Sequence, residues 1–376
     1  MSSAANLRHE LHRHPELSGS ESETAARICR FFEPLQPDVI IRELGGHGVA
    51  FAFSGAEPGP TVLLRCELDA VPIREMNRVA HCSAVDGRSH ACGHDGHMAI
   101  LASVGESLAV VRPPRGRVVL LFQPAEENGG GARAVIGDVQ FSEIQPDFVF
   151  ALHNLPGFPV GQVVVRYGTM CCASRGMVVS LEGTPAHAAQ PETGNSPARA
   201  MCRIMKLIDE LPTRLSVGDE VAFATVVGAS LGADDAFGTA PGEGEVLATL
   251  RSETDDTLNR MVEHLETSVG RIAAQNGLRH DVAYCEEFSA TVNSPKAVAM
   301  VRRAAGDASI KVLEGPHRWS EDFGRFTALA EGAVFGIGAG TETPALHNPA
   351  YDFPDELIPL GAAVFTGIIR ECLGRR

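Results

Sequence analysis

The chain opens with apolar residues spaced three and four apart. Residues 4–14 and 20–33 read as amphipathic helices, with the turn sequence HPELSGS between them. Short β-rich runs follow: VII at 39–41, VAFAF at 49–53 and TVLL at 61–64, the last two separated by the breaker GAEPGP. A continuous apolar stretch at 95–110 predicts a helix, and VVLLFQ at 118–123 and FVFALH at 148–153 predict buried strands. Strands alternating with helices imply an α/β domain built on a mixed, mostly parallel sheet.

The pattern then changes. MVVSLEG, a helix around 196–211, VAFATVVGA, EVLATLRS, a helix at 254–275 and HDVAYCEEF give the order β-α-β-β-α-β. That order predicts a small α+β unit of ferredoxin-like type. A helix near 295–307, a strand near 333–338 and a helix at 355–372 return to the first pattern. The expected organisation is a discontinuous domain, 1–173 and 289–376, carrying an inserted domain at 174–288. The chain shows neither an internal repeat nor a low-complexity segment.

Composition narrows the class. At about 150 residues per domain, 376 residues suit two or three domains. A hydrophobic content of 44% supplies a substantial core. The net charge of −15 argues against nucleic acid, which needs a basic footprint to displace phosphate counterions. The sequence lacks any apolar run of about 18 residues, so a membrane-spanning helix is not expected. Its N-terminal stretch lacks the apolar core of a signal peptide. Nine scattered cysteines suit reduced thiols, and the expected location is the cytoplasm.

In open α/β sheets, ligands sit beyond the carboxyl ends of the strands. TVLLR leads into Cys66-Glu67-Leu68-Asp69, VVLLFQ into Pro124-Ala125-Glu126-Glu127, FVFAL into His153-Asn154, and AVFGIG, through a loop, into His347-Asn348-Pro349. Four separated segments thus deliver carboxylates or imidazoles to one edge. The densest stretch, Ser89 to His97, places Cys92 and His94 just before a predicted helix. A thiolate and a neutral imidazole are good ligands for a borderline-soft divalent ion. Adjacent carboxylates at Glu126 and Glu127 allow one to bind a metal while the other takes a proton from water. Each feature alone also has a plainer reading. Cys92 with its histidines can be a buried thiol in a surface cluster, Glu126-Glu127 a solvated turn, His153 and His347 structural histidines, and Asp69 an ordinary turn aspartate.

The blocks LHRHPELSGSE, LRCELDAVPI, SHACGHDGHMAIL, FQPAEENGGGA, ALHNLPGFPVG, GTPAHAAQPETG, SEDF and LHNPAYDFPDE run in order from residue 11 to 356. With them the chain resembles the dinuclear zinc-type metallopeptidases that include aminoacylase and the glutamate carboxypeptidases. It is most similar to the amidohydrolase branch, which holds hippurate hydrolases, N-acetyl-diaminopimelate deacetylases and plant auxin-conjugate hydrolases. The resemblance implies two divalent metal ions (Zn, Mn, Co or Ni) held by Cys92, His94, Glu127, His153 and His347. It implies Glu126 as general base and Asp69 as orienter of the ligands. The inserted domain would be a lid and dimerisation domain, giving a homo-oligomer. From that domain, His187 would stabilise the oxyanion, in some relatives from the neighbouring subunit. Arg251 would grip the substrate carboxylate, and Asn348 is a second substrate-binding candidate.

The implied substrate is a small N-acyl amino acid, N-acetyl or N-benzoyl. The rival activities are a metal-dependent dipeptidase or carboxypeptidase, a non-catalytic binding protein on the same fold, and a thiol hydrolase using Cys92. Three departures from the family pattern bear on substrate choice. Glu67 stands where Asp is usual, Gly238 where the lid usually has Asn, and REMNRVAHCSAVDG replaces the usual sequence after CELDAVPI.

Overall fold

The structure is a computed structural model and describes residues 2–215, 220–306 and 308–374. The chain divides into two compact units: residues 1–170, 291–315 and 321–376 form one, and 171–290 with 316–320 form the other.

The larger unit is organised by an eight-stranded sheet. Its order is Val39–Leu44, Gly48–Ser54, Arg115–Gln123, Glu57–Glu67, Phe148–Pro156, Glu331–Gly340, Val163–Val165 and Ile310–Val312. The four central strands, from Arg115–Gln123 to Glu331–Gly340, are mutually parallel, and antiparallel pairing is confined to the two flanks. Covered on both faces, the central strands end in unbroken buried runs; Val118 to Gln123 and Thr61 to Glu67 are buried throughout. Parallel pairing also puts their carboxyl ends on one edge. Register fixes this directly, with Glu67 opposite Gln123 and His153 opposite Gly336.

The helix His94–Val110 is apolar nearly all round and buries most of its length. It packs on Ser3–Arg13, on Leu357–Leu373 and on the strand Glu57–Glu67. An aromatic cluster closes one side of the same core: Phe32 stacks on Phe51 at 4.1 Å and meets Phe122 edge-on at 5.4 Å. Each such buried ring contributes roughly 2–3 kcal/mol by area. The helix expected over 295–307 ends at Ala304, because Gly306 turns left-handed at φ +57°.

The smaller unit follows the expected strand and helix order. Its antiparallel sheet runs Ala222–Leu231, Glu243–Ser252, Ala173–Glu182, Arg279–Phe288. The helices Ala198–Leu215 and Asp255–Gln275 bury their apolar stripes against it. Alternate residues Met177, Val179 and Leu181 are buried, the period-two signature of a sheet covered on one face. Residues 316–320 also belong to this unit, although the sequence gives no sign of it. Among the described residues, no helix is long and apolar enough to cross a membrane.

Candidate metal centre

The edge where the parallel strands end carries the chemistry. His94 is the first residue of its helix, and Gly93 caps it at φ +89°. That glycine is required twice over, since a Cβ there would also lie 2.6 Å from the Asn154 side chain. His94 Nδ1 donates to the Asp69 carbonyl at 2.8 Å. Its Nε2 is left buried without a hydrogen-bond partner, 3.7 Å from Glu127 Oε1, which is itself buried and unpartnered. His153 repeats the arrangement: Nδ1 donates to the Asn154 carbonyl at 2.9 Å, and Nε2 lies 3.6 Å from Cys92 Sγ. His347 sits at φ +63°, a strained conformation for a residue with a Cβ, with its backbone N–H donating to the Ala91 carbonyl at 2.8 Å. Its Nε2 reaches within 3.5 Å of Glu127 Oε1.

Asp69 ties these segments together. Its Oδ2 accepts from the Glu127 backbone N–H at 3.0 Å and from Ser18 Oγ at 2.7 Å. Burial works against its ionisation, yet His94, the Glu127 N–H and Ser18 hold its carboxyl below the ordinary range. Burial pushes the Cys92 thiol up, and the Glu127 carboxylate adds to it. Burial also pushes the Glu126 carboxyl well up, with Glu321, Glu127 and Asp322 adding and Arg65 opposing.

Among the described residues, five groups have ligand atoms within 4.8 Å of one another, and three of them hold the expected ligands: Cys92–His94–His153, Cys92–Glu127–His347 and His94–Glu126–Glu127; the others are Glu67–His94–His97 and Glu126–Glu321–Asp322. Cys92 is common to the first two. Leaving His94 Nε2 and Glu127 Oε1 buried and unpaired costs about 1–3 kcal/mol each. Both atoms border the same space, and thiolate, imidazole and carboxylate together suit Zn or a similar divalent ion. On this test the residues fit metal.

The remaining candidates are placed differently. Asn348 is exposed, and its Oδ1 accepts from the Ala350 N–H at 2.9 Å, which closes its own turn. His187 and Arg251 belong to the smaller unit. His187 is exposed in a two-residue pairing with Thr239–Ala240, and its Nδ1 accepts from the Ala189 N–H at 3.0 Å. A neutral ring so held carries its proton on Nε2, as a donor. Gly238 lies beside it, accepting from the Ala188 N–H at 2.9 Å, with open space where a side chain would stand. Arg251 Nη1 donates to Ser320 Oγ at 2.9 Å.

Sequence reasoning passed over a second layer. His97 bridges Glu67 at 2.6 Å and Asn154 Oδ1 at 2.5 Å. Asp95 accepts from Arg8 at 3.0 Å and pairs with His12 at 2.8 Å. Arg65 lies fully buried among Glu67, Glu321 and Asp322. For Arg65 the available signal was a charge closing the apolar run TVLLR; the acids of SEDF lie in a polar stretch, PHRWSEDFGRF, that gives no sign of their burial.

The sequence pattern of peptidase family M20/M25/M40 matches residues 63–371. The chain is 30% identical to the N-acetyl-L-cysteine deacetylase of Bacillus subtilis over 364 residues, covering 96% of this chain and 85% of that protein. It is 27% identical to the hippurate hydrolase of Campylobacter jejuni over 371 residues, covering 98% and 96%. The crystal structure of Bacillus subtilis YXEP, described as a dinuclear metal binding peptidase from the M20 family, superposes with a TM-score of 0.83 at 25% identity, covering 99% of this chain and 98% of that one. With ligand-type side chains gathered at one sheet edge and the family pattern spanning both units, the chain belongs to peptidase family M20/M25/M40 and is a hydrolase acting on amide bonds.

Proposed function

We propose that this protein hydrolyses the amide bond of N-acyl amino acids, with Glu126 as general base beside two divalent ions held by Cys92, His94, Glu127, His153 and His347. The carrying observation is the overlap of the donor groups around Cys92 and Glu127, with the Glu126 carboxyl at their margin. The deacetylase and the hippurate hydrolase it resembles are named for such substrates, which supports the acyl-amino-acid class.

Bound divalent ions supply a Lewis acid for the carbonyl and lower the pKa of water. The chain's own residues do the rest. Asp69 holds the His94 ring and the Glu127 backbone in place. Glu126 takes the proton of the attacking water and passes it to the leaving amine. Glu126 is buried and shares a ligand group with His94 and Glu127, where a base for the attacking water is needed. His187 Nε2 donates to the oxyanion. Arg251 binds the amino-acid carboxylate through a bidentate fork, and Asn348 assists substrate binding. The inserted unit serves as lid and dimerisation domain. Nine free cysteines support a reducing compartment, and we place the protein in the cytoplasm.

The test is a panel of N-acetyl and N-benzoyl amino acids against dipeptides, assayed on chelated protein with Zn²⁺, Mn²⁺, Co²⁺ or Ni²⁺ restored. Acyl amino acids should be turned over, and only with metal. Glu126→Gln should keep its metal and lose about 10²–10⁴ in kcat. Preference for dipeptides would move the reading to a peptidase. Activity that survives chelation but not alkylation would move it to a Cys92 thiol hydrolase.

A further inference from the structure

The SEDF block has no part in the chemistry above, yet both its acids are buried: Glu321 is 2% exposed and Asp322 is fully enclosed. Buried carboxylates persist only when paired and hydrogen-bonded. Their partner is Arg65, also fully enclosed, at the end of the strand Glu57–Glu67. Its Nη2 lies 3.0 Å from Glu321 and 2.5 Å from Asp322, its Nη1 bonds Glu67, and its Nε donates to Gln123 at 2.9 Å. The guanidinium is therefore spent inside the protein and cannot bind substrate.

The two acids are used differently. Asp322 is saturated: Gln123 Nε2 donates to it at 2.8 Å and the Ala132 N–H at 2.8 Å, which anchors the start of the helix Gly131–Gly137. Glu321 spends one oxygen on Arg65 and on the Phe323 N–H at 3.3 Å. Its carboxylate, that of Asp322 and that of Glu126 lie with an oxygen of each within 4.8 Å of the others. The Asp322 backbone N–H points at Glu126 Oε1 from 3.4 Å. The Glu126 and Glu321 carboxyls also lie close enough to hydrogen-bond each other, and Arg65 balances the charge of the group.

We infer that Glu321, held in place by Arg65, is a positioning residue that fixes the orientation of the Glu126 carboxyl. This rests on the reading of Glu126 as the base. The contact with Glu321 holds one edge of the Glu126 carboxyl and leaves the other to face the ligand cluster, where the reaction takes place. Arg65, paired with both Glu321 and Asp322, keeps Glu321 from rotating away. Turnover depends steeply on such placement, since a displacement of about 1 Å costs about 10²-fold. Glu321 is not among the proposed ligands and reaches the reaction only through Glu126, so its loss acts on the rate and not on substrate or metal binding.

The experiment compares Glu321→Gln, Glu321→Asp and Glu126→Gln in the metal-loaded enzyme. Metal content, thermal midpoint, kcat and KM are measured on the best N-acyl substrate. Glu321→Gln preserves shape and removes the charge. It should lower kcat at least tenfold, with KM within about twofold and metal content and midpoint unchanged. Glu321→Asp keeps the charge and should recover part of the rate; it also stands in if the Gln variant fails to fold. Wild-type kcat in a metal-replete Glu321→Gln enzyme overturns the inference, as does a loss that follows metal content or midpoint. Glu126→Gln separates the two claims: if it stays active, the base assignment fails; if it is dead while Glu321→Gln is normal, only the positioning role fails.

Discussion

Burial alone sets the behaviour of His317. Its Nε2 has no hydrogen-bond partner, its ring stacks on Trp319 at 4.8 Å, and desolvation lowers its pKa from 6.5 to about 4. In the unfolded chain it takes its proton near pH 6.5; in the folded unit it does so only near pH 4. Between those values the unfolded state binds more protons, so stability falls as pH drops through this window and levels off below it. Trp319 is the chain's single tryptophan and a direct reporter. Denaturant midpoints followed by its emission should decline from pH 6.5 to 4 by roughly 1–3 kcal/mol in stability. His317→Phe should flatten that slope, and an unchanged slope would refute the assignment. The same scale shows what was readable in advance. Cys92 and His94 stand two residues apart at a predicted helix start, so their meeting is local. Arg65 and Asp322 meet across 257 residues, a pairing that only the completed sheet creates.

At the level of elements, the turn after the strand Arg115–Gln123 carries both Glu126 and Glu127. Ala125 adopts φ +51° there, and the Gly131 N–H donates back to the Ala125 carbonyl at 2.9 Å, closing the turn before the next helix. A Cβ on Gly131 would overlap the Pro124 carbonyl oxygen, a rigid backbone atom. Gly131→Ala should therefore cost roughly 2–4 kcal/mol and take catalysis with it, because the clash is relieved only by moving the acid pair. A urea titration within 0.5 kcal/mol of wild type would show that the turn has a second solution. The glycine run after Glu126-Glu127 was legible as a sharp bend; which glycine is irreplaceable was not, since that depends on contacts. Long periodic elements such as Asp255–Gln275 were equally plain. The strands Val163–Val165 and Ile310–Val312 were not, because three residues carry no period and pairing partners define them.

For the molecule as a whole, the two units have separate cores, and all five proposed metal ligands belong to the larger one while Trp319 belongs to the smaller. An ion that binds only the folded larger unit stabilises it by about 2.7 kcal/mol at a hundred times its dissociation constant. Removing it leaves His94 Nε2 and Glu127 Oε1 buried and unpaired, which adds a local cost. Chelation should then lower the thermal transition seen by far-ultraviolet circular dichroism, and added Zn²⁺ or Mn²⁺ should restore it. Trp319 emission should keep its midpoint, because Trp319 belongs to the smaller unit and the five proposed ligands to the larger. If chelation left the dichroism transition where it was, the ligand cluster would contribute nothing to stability and the proposed two-ion site would lose its physical basis. If both signals moved together, the cores would be melting as one cooperative unit, and ligand loss in one would be felt throughout the chain.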